Sequence, residues 1–344
     1  METIFLPNLL SNLRSEKYHK PPLLNSPKPS TNRLTQSTQL TVLQRLVASS
    51  IVLLGAIMFS TKAIMVKLAL PYGIDPVSLL ALRMICALPL YVAILPIVSR
   101  SSSTLKPLHP ELLKIIFLGF IGYYLASYFD FAGLAYISAS LERVILYLYP
   151  TMVLLISAVV LKKRIHVQQW VAIGLCYLGV TVAVTQGEAN LYGTNHTLGV
   201  VLIFLSAFTY AIYLVGSGQL IPVVGVWRFT CCAMIVSSIC VITHFLLANP
   251  VHQWKNLLEY PWQVYAYGGA MAVFATVIPS LLISEGIKRI GASNAAIIGG
   301  AGPISTIILA SFFLGESLTT AQIIGTLIVV CGVVYISLRM KGND

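Results

Sequence analysis

From Leu46 to Met340 the chain is a succession of apolar runs, each interrupted by a short segment carrying Gly, Pro or charge. A helix that crosses the hydrocarbon core of a bilayer needs about 20 apolar residues. The interruptions place ten such helices near 46–69, 75–98, 113–134, 139–161, 167–185, 198–217, 223–247, 263–284, 292–314 and 320–338. The expected fold is all-α and integral to the membrane, with ten transmembrane helices arranged as two inverted five-helix repeats. Inversion follows from parity, because an odd number of spans puts the second copy into the bilayer upside down. Two inverted halves around a site near the midplane are an architecture of many secondary transporters.

The duplication is visible in the residues. Moving the chain by 153 positions superposes Ala139-Ser140 on Ala292-Ser293, Pro150 on Pro303, Gln169 on Gln322 and Gly179-Val180 on Gly332-Val333. A shift of 145 brings Arg83 onto Arg228, each in the second span of its half. The matches are sparse, but they keep their order and their place within spans. The expected organisation is a flexible cytoplasmic tail over 1–45, a first repeat over 46–185 and a second over 198–338.

Orientation follows from Lys and Arg, which accumulate in cytoplasmic loops. With the N-terminus inside, those loops hold Arg100, Lys106, Lys162-Lys163-Arg164 and Lys288-Arg289, whereas the external loops hold Lys255 alone. Both termini are then cytoplasmic, in an inner or plasma membrane.

Composition agrees with this pattern. The 344 residues are 57% hydrophobic and 10% charged, against about 25% charged in a soluble domain. The net charge of +11 sits in the tail and the cytoplasmic loops, which speaks for membrane topology and against nucleic acid. The first 45 residues are rich in Pro, Ser, Asn and Thr and cannot bury enough apolar surface to order themselves. They lack the apolar core and cleavage site of a signal peptide, while their basic, acid-poor character leaves an organelle-targeting role open. The six cysteines (Cys86, Cys176, Cys231, Cys232, Cys240 and Cys331) all fall inside apolar runs and read as small hydrophobes, not as a disulfide or metal set.

The segment GASNAAIIGGAGPISTIILASFFLGESLTTAQIIGTLIVVCGVVYI resembles the last two spans of an EamA-type repeat of the drug/metabolite transporter superfamily. ASLERVILYLYPTMVLLISAVVLKKRIHVQQWVAIGLCYLGVTVAV is similar to the same element of the first half, and LLALRMICALPL to its second span. The resemblance covers 46–338, and Leu314-Gly315-Glu316 is among its strongest marks. The first copy departs from the pattern, with Leu161-Lys162-Lys163 in place of Leu-Gly-Glu and charges at Glu142-Arg143. The resemblance implies that spans 1–4 and 6–9 surround a central cavity while spans 5 and 10 lie outside it.

Six ionisable residues sit within spans in a way that needs an account: Lys62, Arg83, Asp130, Glu142, Arg143 and Arg228. A charge at a helix centre costs about 2.5–3.5 kcal/mol on insertion scales, so such residues face the bundle interior and pair. At 1.5 Å per residue, Lys62 and Arg83 lie roughly 10–12 Å below the outer ends of their spans, and Asp130, Glu142 and Arg143 roughly 5–6 Å below theirs. Structural ion pairs, Arg83 with Glu142 or Lys62 with Asp130, are the plain account. The functional account makes Lys62, Asp130 and Glu142 part of a pathway, with a carboxyl that binds and releases a proton during a transport cycle. Three cations against two carboxylates leave one positive charge over, which a substrate carboxylate can neutralise.

Helical spacing adds candidate cavity walls. Tyr123, Ser127 and Asp130 share a face of span 3, Glu142, Leu146 and Tyr149 one of span 4, and Ser206, Tyr210 and Tyr213 one of span 6. Aromatic walls with a few polar groups suit small organic ligands, although helix packing also uses tyrosine. The candidate binding set is thus Lys62, Arg83, Tyr123, Ser127, Asp130, Glu142, Tyr149, Tyr210 and Tyr213. Pro150 and Pro303 each remove a backbone donor in the fourth span of a half and mark a kink, for packing or for gating. Asn195-His196-Thr197 is a glycosylation sequon in an external loop.

There is no P-loop, no Cys or His metal spacing and no G-x-S-x-G. The expectation is a permease that needs no cofactor and exports a small organic metabolite, an amino acid or a relative, by alternating access. Its partners are that substrate and the bilayer, with a proton as candidate coupling ion. A nucleotide-sugar or phosphate-ester exchanger of the same fold is the nearest alternative. An integral-membrane enzyme using Glu142 or Asp130 is a remoter one, lacking a recognisable nucleophile or metal site.

Overall fold

The computed structural model describes residues 42–100, 109–160, 162, 165–185, 195–248, 259–290, 298, 301–317 and 319–340. Among the described residues, eight helices are long and apolar enough to cross a membrane, and two shorter apolar helices complete ten. They are α1 (Val42–Ala69), α2 (Pro76–Arg100), α3 (Leu112–Leu134), α4 (Ala139–Val160), α5 (Val167–Thr185), α6 (His196–Val224), α7 (Val226–Ala248), α8 (262–290), α9 (Ala301–Leu314) and α10 (Thr320–Met340). The expectations for the tail before Val42, for Lys106, Lys163, Arg164 and Lys255, and for Ala292-Ser293 and Gly299-Gly300 lie outside the described residues. One end of the bundle, here the upper end, carries the turns at Gly73, Ile137 and Gly315.

Packing follows a pseudo-two-fold relation that exchanges α1 with α6, α2 with α7, α3 with α8, α4 with α9 and α5 with α10. α1 packs on α8, and its mate α6 packs on α3. α1 also packs on α9 and α6 on α4, while α2 meets α8 as α7 meets α3. The pairs α2–α7, α4–α9 and α5–α10 are their own mates. The close contacts therefore run mainly between halves, so neither half forms a closed bundle by itself.

Small residues allow these approaches, as is usual where lipid supplies no hydrophobic drive between helices. A methyl group on Gly133 of α3 would meet the Ile203 side chain of α6 at 2.6 Å. One on Gly286 of α8, 153 positions on, would meet Val52 of α1 at 2.0 Å. In α5–α10 the backbones touch directly, a methyl on Gly179 falling 2.7 Å from the Gly325 carbonyl.

Two features of the helices bear on the site. α3 contains a π-helical turn at Phe120–Leu125, and α8 contains one at Val273–Val277. Moving Phe120 by the sequence offset of 153 lands on Val273, so the irregularity is part of the repeated unit. A π-turn inserts an extra residue and re-aims the side chains around it; such turns recur at functional sites. α4 is broken between Ala139–Leu146 and Tyr149–Val160. Pro150 has no N–H to give Leu146, and the chain turns tightly instead, with Leu148 N–H on the Ile145 carbonyl and Thr151 N–H on Leu148 at 3.0 Å each. The kink expected at Pro150 is present.

Candidate functional site

Three charged residues of the first half, Asp130, Glu142 and Arg143, gather with Lys62. Its ammonium, on α1, donates to Asp130 Oδ2 on α3 and, at 3.3 Å, to Glu142 Oε1 on α4. Glu142 is fully buried and Asp130 is 3% exposed, while the Lys62 side chain keeps 12% of its surface accessible. Arg143 closes the group, its Nε 3.7 Å from Glu142 Oε2 and its Nη2 donating to the Phe59 carbonyl at 3.3 Å. Two cations thus face two carboxylates on three helices. Asp130 Oδ1 remains buried without a hydrogen-bond partner.

Of the two pairings the sequence left open, Lys62 with Asp130 is the one formed. Arg83 does not meet Glu142, which Lys62 and Arg143 occupy. On α2 it turns instead toward the opposite half, where its Nε donates to Thr276 Oγ1 at 2.8 Å and its guanidinium lies 5.4 Å from the Phe131 ring centre. Thr276 belongs to the π-turn of α8, and its hydroxyl donates in turn to the Met271 carbonyl five residues back, at 2.9 Å. Nothing in the primary structure singled out Thr276, because a lone threonine in an apolar span carries no signal until the opposing arginine is placed.

The tyrosines assemble into one continuous array across three helices. Tyr123 and Tyr213 stand 4.8 Å apart by ring centres and share a hydrogen bond of 3.2 Å between hydroxyls. Tyr213 stacks on Tyr210 at 5.7 Å, Tyr210 meets Tyr149 edge-on at 5.4 Å, and Tyr149 meets Tyr147 at 6.1 Å. The α6 face expected from spacing holds, and Ser206 anchors it by donating to the Ala126 carbonyl at 2.8 Å. The α3 face holds less well: the π-turn ends between Tyr123 and Ser127, so Tyr123 aims at α6 while Asp130 aims at α1. Ser127 is half-buried between them. In α4, Glu142 joins the charged group and Tyr149 the aromatic array on either side of the Tyr147–Leu148 break.

Close approach makes the array possible. A methyl group on Gly122, within the α3 π-turn, would fall 2.1 Å from Tyr213 Cβ. Arg228, the sequence mate of Arg83, is half-buried near the lower end of α7, away from the Lys62 group. At the start of α6, Asn195 of the sequon is exposed and His196 is buried.

Comparison with known proteins places this architecture. The EamA-like transporter family model matches residues 46–185 and again 197–338. A Bacillus subtilis (strain 168) protein named Uncharacterized transporter YcbK is 34% identical over 283 residues, 82% of this chain and 88% of its own. An Archaeoglobus fulgidus protein, also named an uncharacterized transporter, is 26% identical over 282 residues, 82% of this chain and 93% of its own. A crystal structure with 17% sequence identity superposes with a TM-score of 0.58, covering 87% of this chain and all of that one, which speaks for the fold alone. With both halves matched by the family model and a relative above 30% identity aligned along most of its length, this integral membrane protein belongs to the EamA-like transporter family.

Proposed function

We propose that the chain is a secondary permease that carries a small organic solute through the bilayer by alternating access. The observation that carries this reading is the Lys62 group: one ammonium shared by two buried carboxylates from α3 and α4, within hydrogen-bonding range of both. A buried ion cluster is costly to build, and replacing such clusters by apolar residues is often neutral or stabilising. Its presence is explained by work that needs a change of charge. A carboxyl held against a cation takes up a proton readily only when that cation moves away, so binding and rearrangement are coupled to protonation.

The transported solute is a metabolite of amino-acid type, moved outward, with both termini cytoplasmic and a proton as the coupled ion. Its apolar part lies along the tyrosine array and its polar end at the charged group. The phosphate-ester alternative draws on Lys62 and Arg83 together, and it is the less favoured because two carboxylates already hold Lys62.

Transport in proteoliposomes with an imposed pH gradient tests the reading. Glu142→Gln and Asp130→Asn should both insert normally, and at least one should abolish the dependence of flux on the gradient. Full, pH-dependent flux in both variants would remove proton coupling through this group.

A further inference from the structure

Arg83 is the cation that the charge balance leaves over. Lys62 and Arg143 offset Asp130 and Glu142, two against two. Arg83 is 5% exposed, and among the described residues no carboxylate lies within 4.0 Å of it. Its direct contacts are a neutral hydroxyl and an aromatic ring, Asp130 and Tyr91 act on it from farther away, and Nη1 is buried without a hydrogen-bond partner. The Phe131 ring offsets part of the desolvation of the guanidinium, but a buried charge without a counter-ion is strongly destabilising. The nearest acid, Asp130, is held by Lys62 through Oδ2, and counting it for Arg83 as well leaves the sum one positive.

The arginine is also aimed. Nε is committed to Thr276, whose hydroxyl is fixed by its own bond to the Met271 carbonyl in the π-turn. That leaves the outer end of the guanidinium, with Nη1, for another acceptor. Paired N–H groups in a plane match the two oxygens of a carboxylate or phosphate. The Arg83–Thr276 bond crosses from α2 of the first half to α8 of the second. Under the alternating-access reading it is a contact that relative motion of the halves can open, which accounts for a binding group shut away in the present conformation.

We propose that Arg83, anchored by Thr276, is the anion-binding point of the transport site, and that the substrate carries one anionic group there, a carboxylate or a phosphate. The proposal rests on the permease reading above and adds the charge of the solute. An anion at Arg83 brings the buried charges to three against three, and its arrival ties together, or releases, the two halves at one bond.

The test uses the purified full chain in detergent with matched pairs of probes: N-acetylleucine and N-acetylleucinamide, lactate and lactamide, glycerol 3-phosphate and glycerol. Binding is read by thermal shift and titration calorimetry, and counterflow of the same probes is read in proteoliposomes. At least one acid should bind, with its neutral twin weaker by about tenfold or more, as expected when a buried charge partner is lost. The carboxylate and phosphate pairs then tell which anion is read. Arg83→Gln should erase the discrimination, Arg83→Lys should keep part of it, and Thr276→Val should weaken the acid while leaving its neutral twin unchanged. Thr276→Val also decides the matter if Arg83→Gln does not fold. Neutral twins that bind and move as well as the acids, or discrimination that survives in both Arg83→Gln and Thr276→Val, overturn the proposal and leave the permease standing. Absence of binding and flux for every probe overturns both.

Discussion

Glu316, in the loop that joins α9 to α10, caps the start of α4 in the other half of the molecule. Its Oε1 accepts from Ala139 N–H at 2.9 Å, and its Oε2 from Ser140 N–H at 3.1 Å and the Ser140 hydroxyl at 2.7 Å. Ser138 takes the next amide, Leu141 N–H, at 3.0 Å, and its carbonyl takes Glu142 N–H. The first amides of a helix have no partner within the helix, and here those of Ala139, Ser140 and Leu141 are provided for by side chains before the regular ladder begins at Glu142. A carboxylate also suits the positive end of the helix dipole. The equivalent position in the first half, 153 residues earlier, is Lys163, a residue that has no carboxylate to offer.

Removing the cap should lower stability in proportion to what is left behind. Glu316→Ala leaves two amides and a hydroxyl without their acceptor and should cost about 1–3 kcal/mol; Glu316→Gln keeps one acceptor oxygen and should cost less. Thermal melts in detergent should rank wild type above Gln above Ala. An Ala variant as stable as wild type would mean that water or another group replaces the carboxylate at no cost.

Lys62 should be coupled to both of its carboxylates. Lys62→Met strands Asp130 in the protein interior and leaves Glu142 to Arg143 alone, and losing one member of a buried pair typically costs about 3–5 kcal/mol. Lys62→Met combined with Asp130→Asn should recover part of that loss. Simple additivity of the two single effects in a double-mutant cycle would argue against the shared ammonium.

Two glycines in corresponding regions of the two halves should respond in opposite directions. Gly122→Ala drives a methyl group into Tyr213 and should cost about 1–3 kcal/mol, the usual penalty of overpacking. Gly269→Ala, in α8, meets nothing within 4 Å and should raise stability by about 0.4–1 kcal/mol through reduced freedom of the unfolded chain. Melting curves of the two variants decide it, and equal shifts would contradict the packing around the α3 π-turn.

Topology can be checked from the loops. Tyr72, exposed in the turn after α1, and Pro110, exposed before α3, stand at opposite ends of the bundle. In a chain whose six cysteines have been replaced, Tyr72→Cys should react with a membrane-impermeant maleimide in intact cells. Pro110→Cys should react only after permeabilisation. The reverse pattern would invert the assigned orientation.

The primary structure by itself determined the ten apolar helices and their duplication, because span length and loop charge are local properties that the bilayer enforces one segment at a time. The offset of 153 read from Pro150 and Pro303 is the same offset that relates the two π-turns and the Gly133 and Gly286 contacts. The candidate residues of the site were also legible, since a charge within a span is conspicuous against an apolar background. Their partners were not. Lys62 reaches Asp130 across 68 positions and Arg83 reaches Thr276 across 193, and no periodicity within one helix encodes contacts of that range. The π-turn altered the face on which Tyr123 lies, because an inserted residue rotates everything beyond it and leaves no mark in composition. Tertiary structure alone decided which cation each carboxylate holds, which tyrosines touch, and that Glu316 serves the helix of the opposite half. The reason is the same in each case: these contacts join helices far apart along the chain, the charged group within the first half and Arg83–Thr276, Tyr123–Tyr213 and Glu316 across the two halves, and only tertiary packing brings them together.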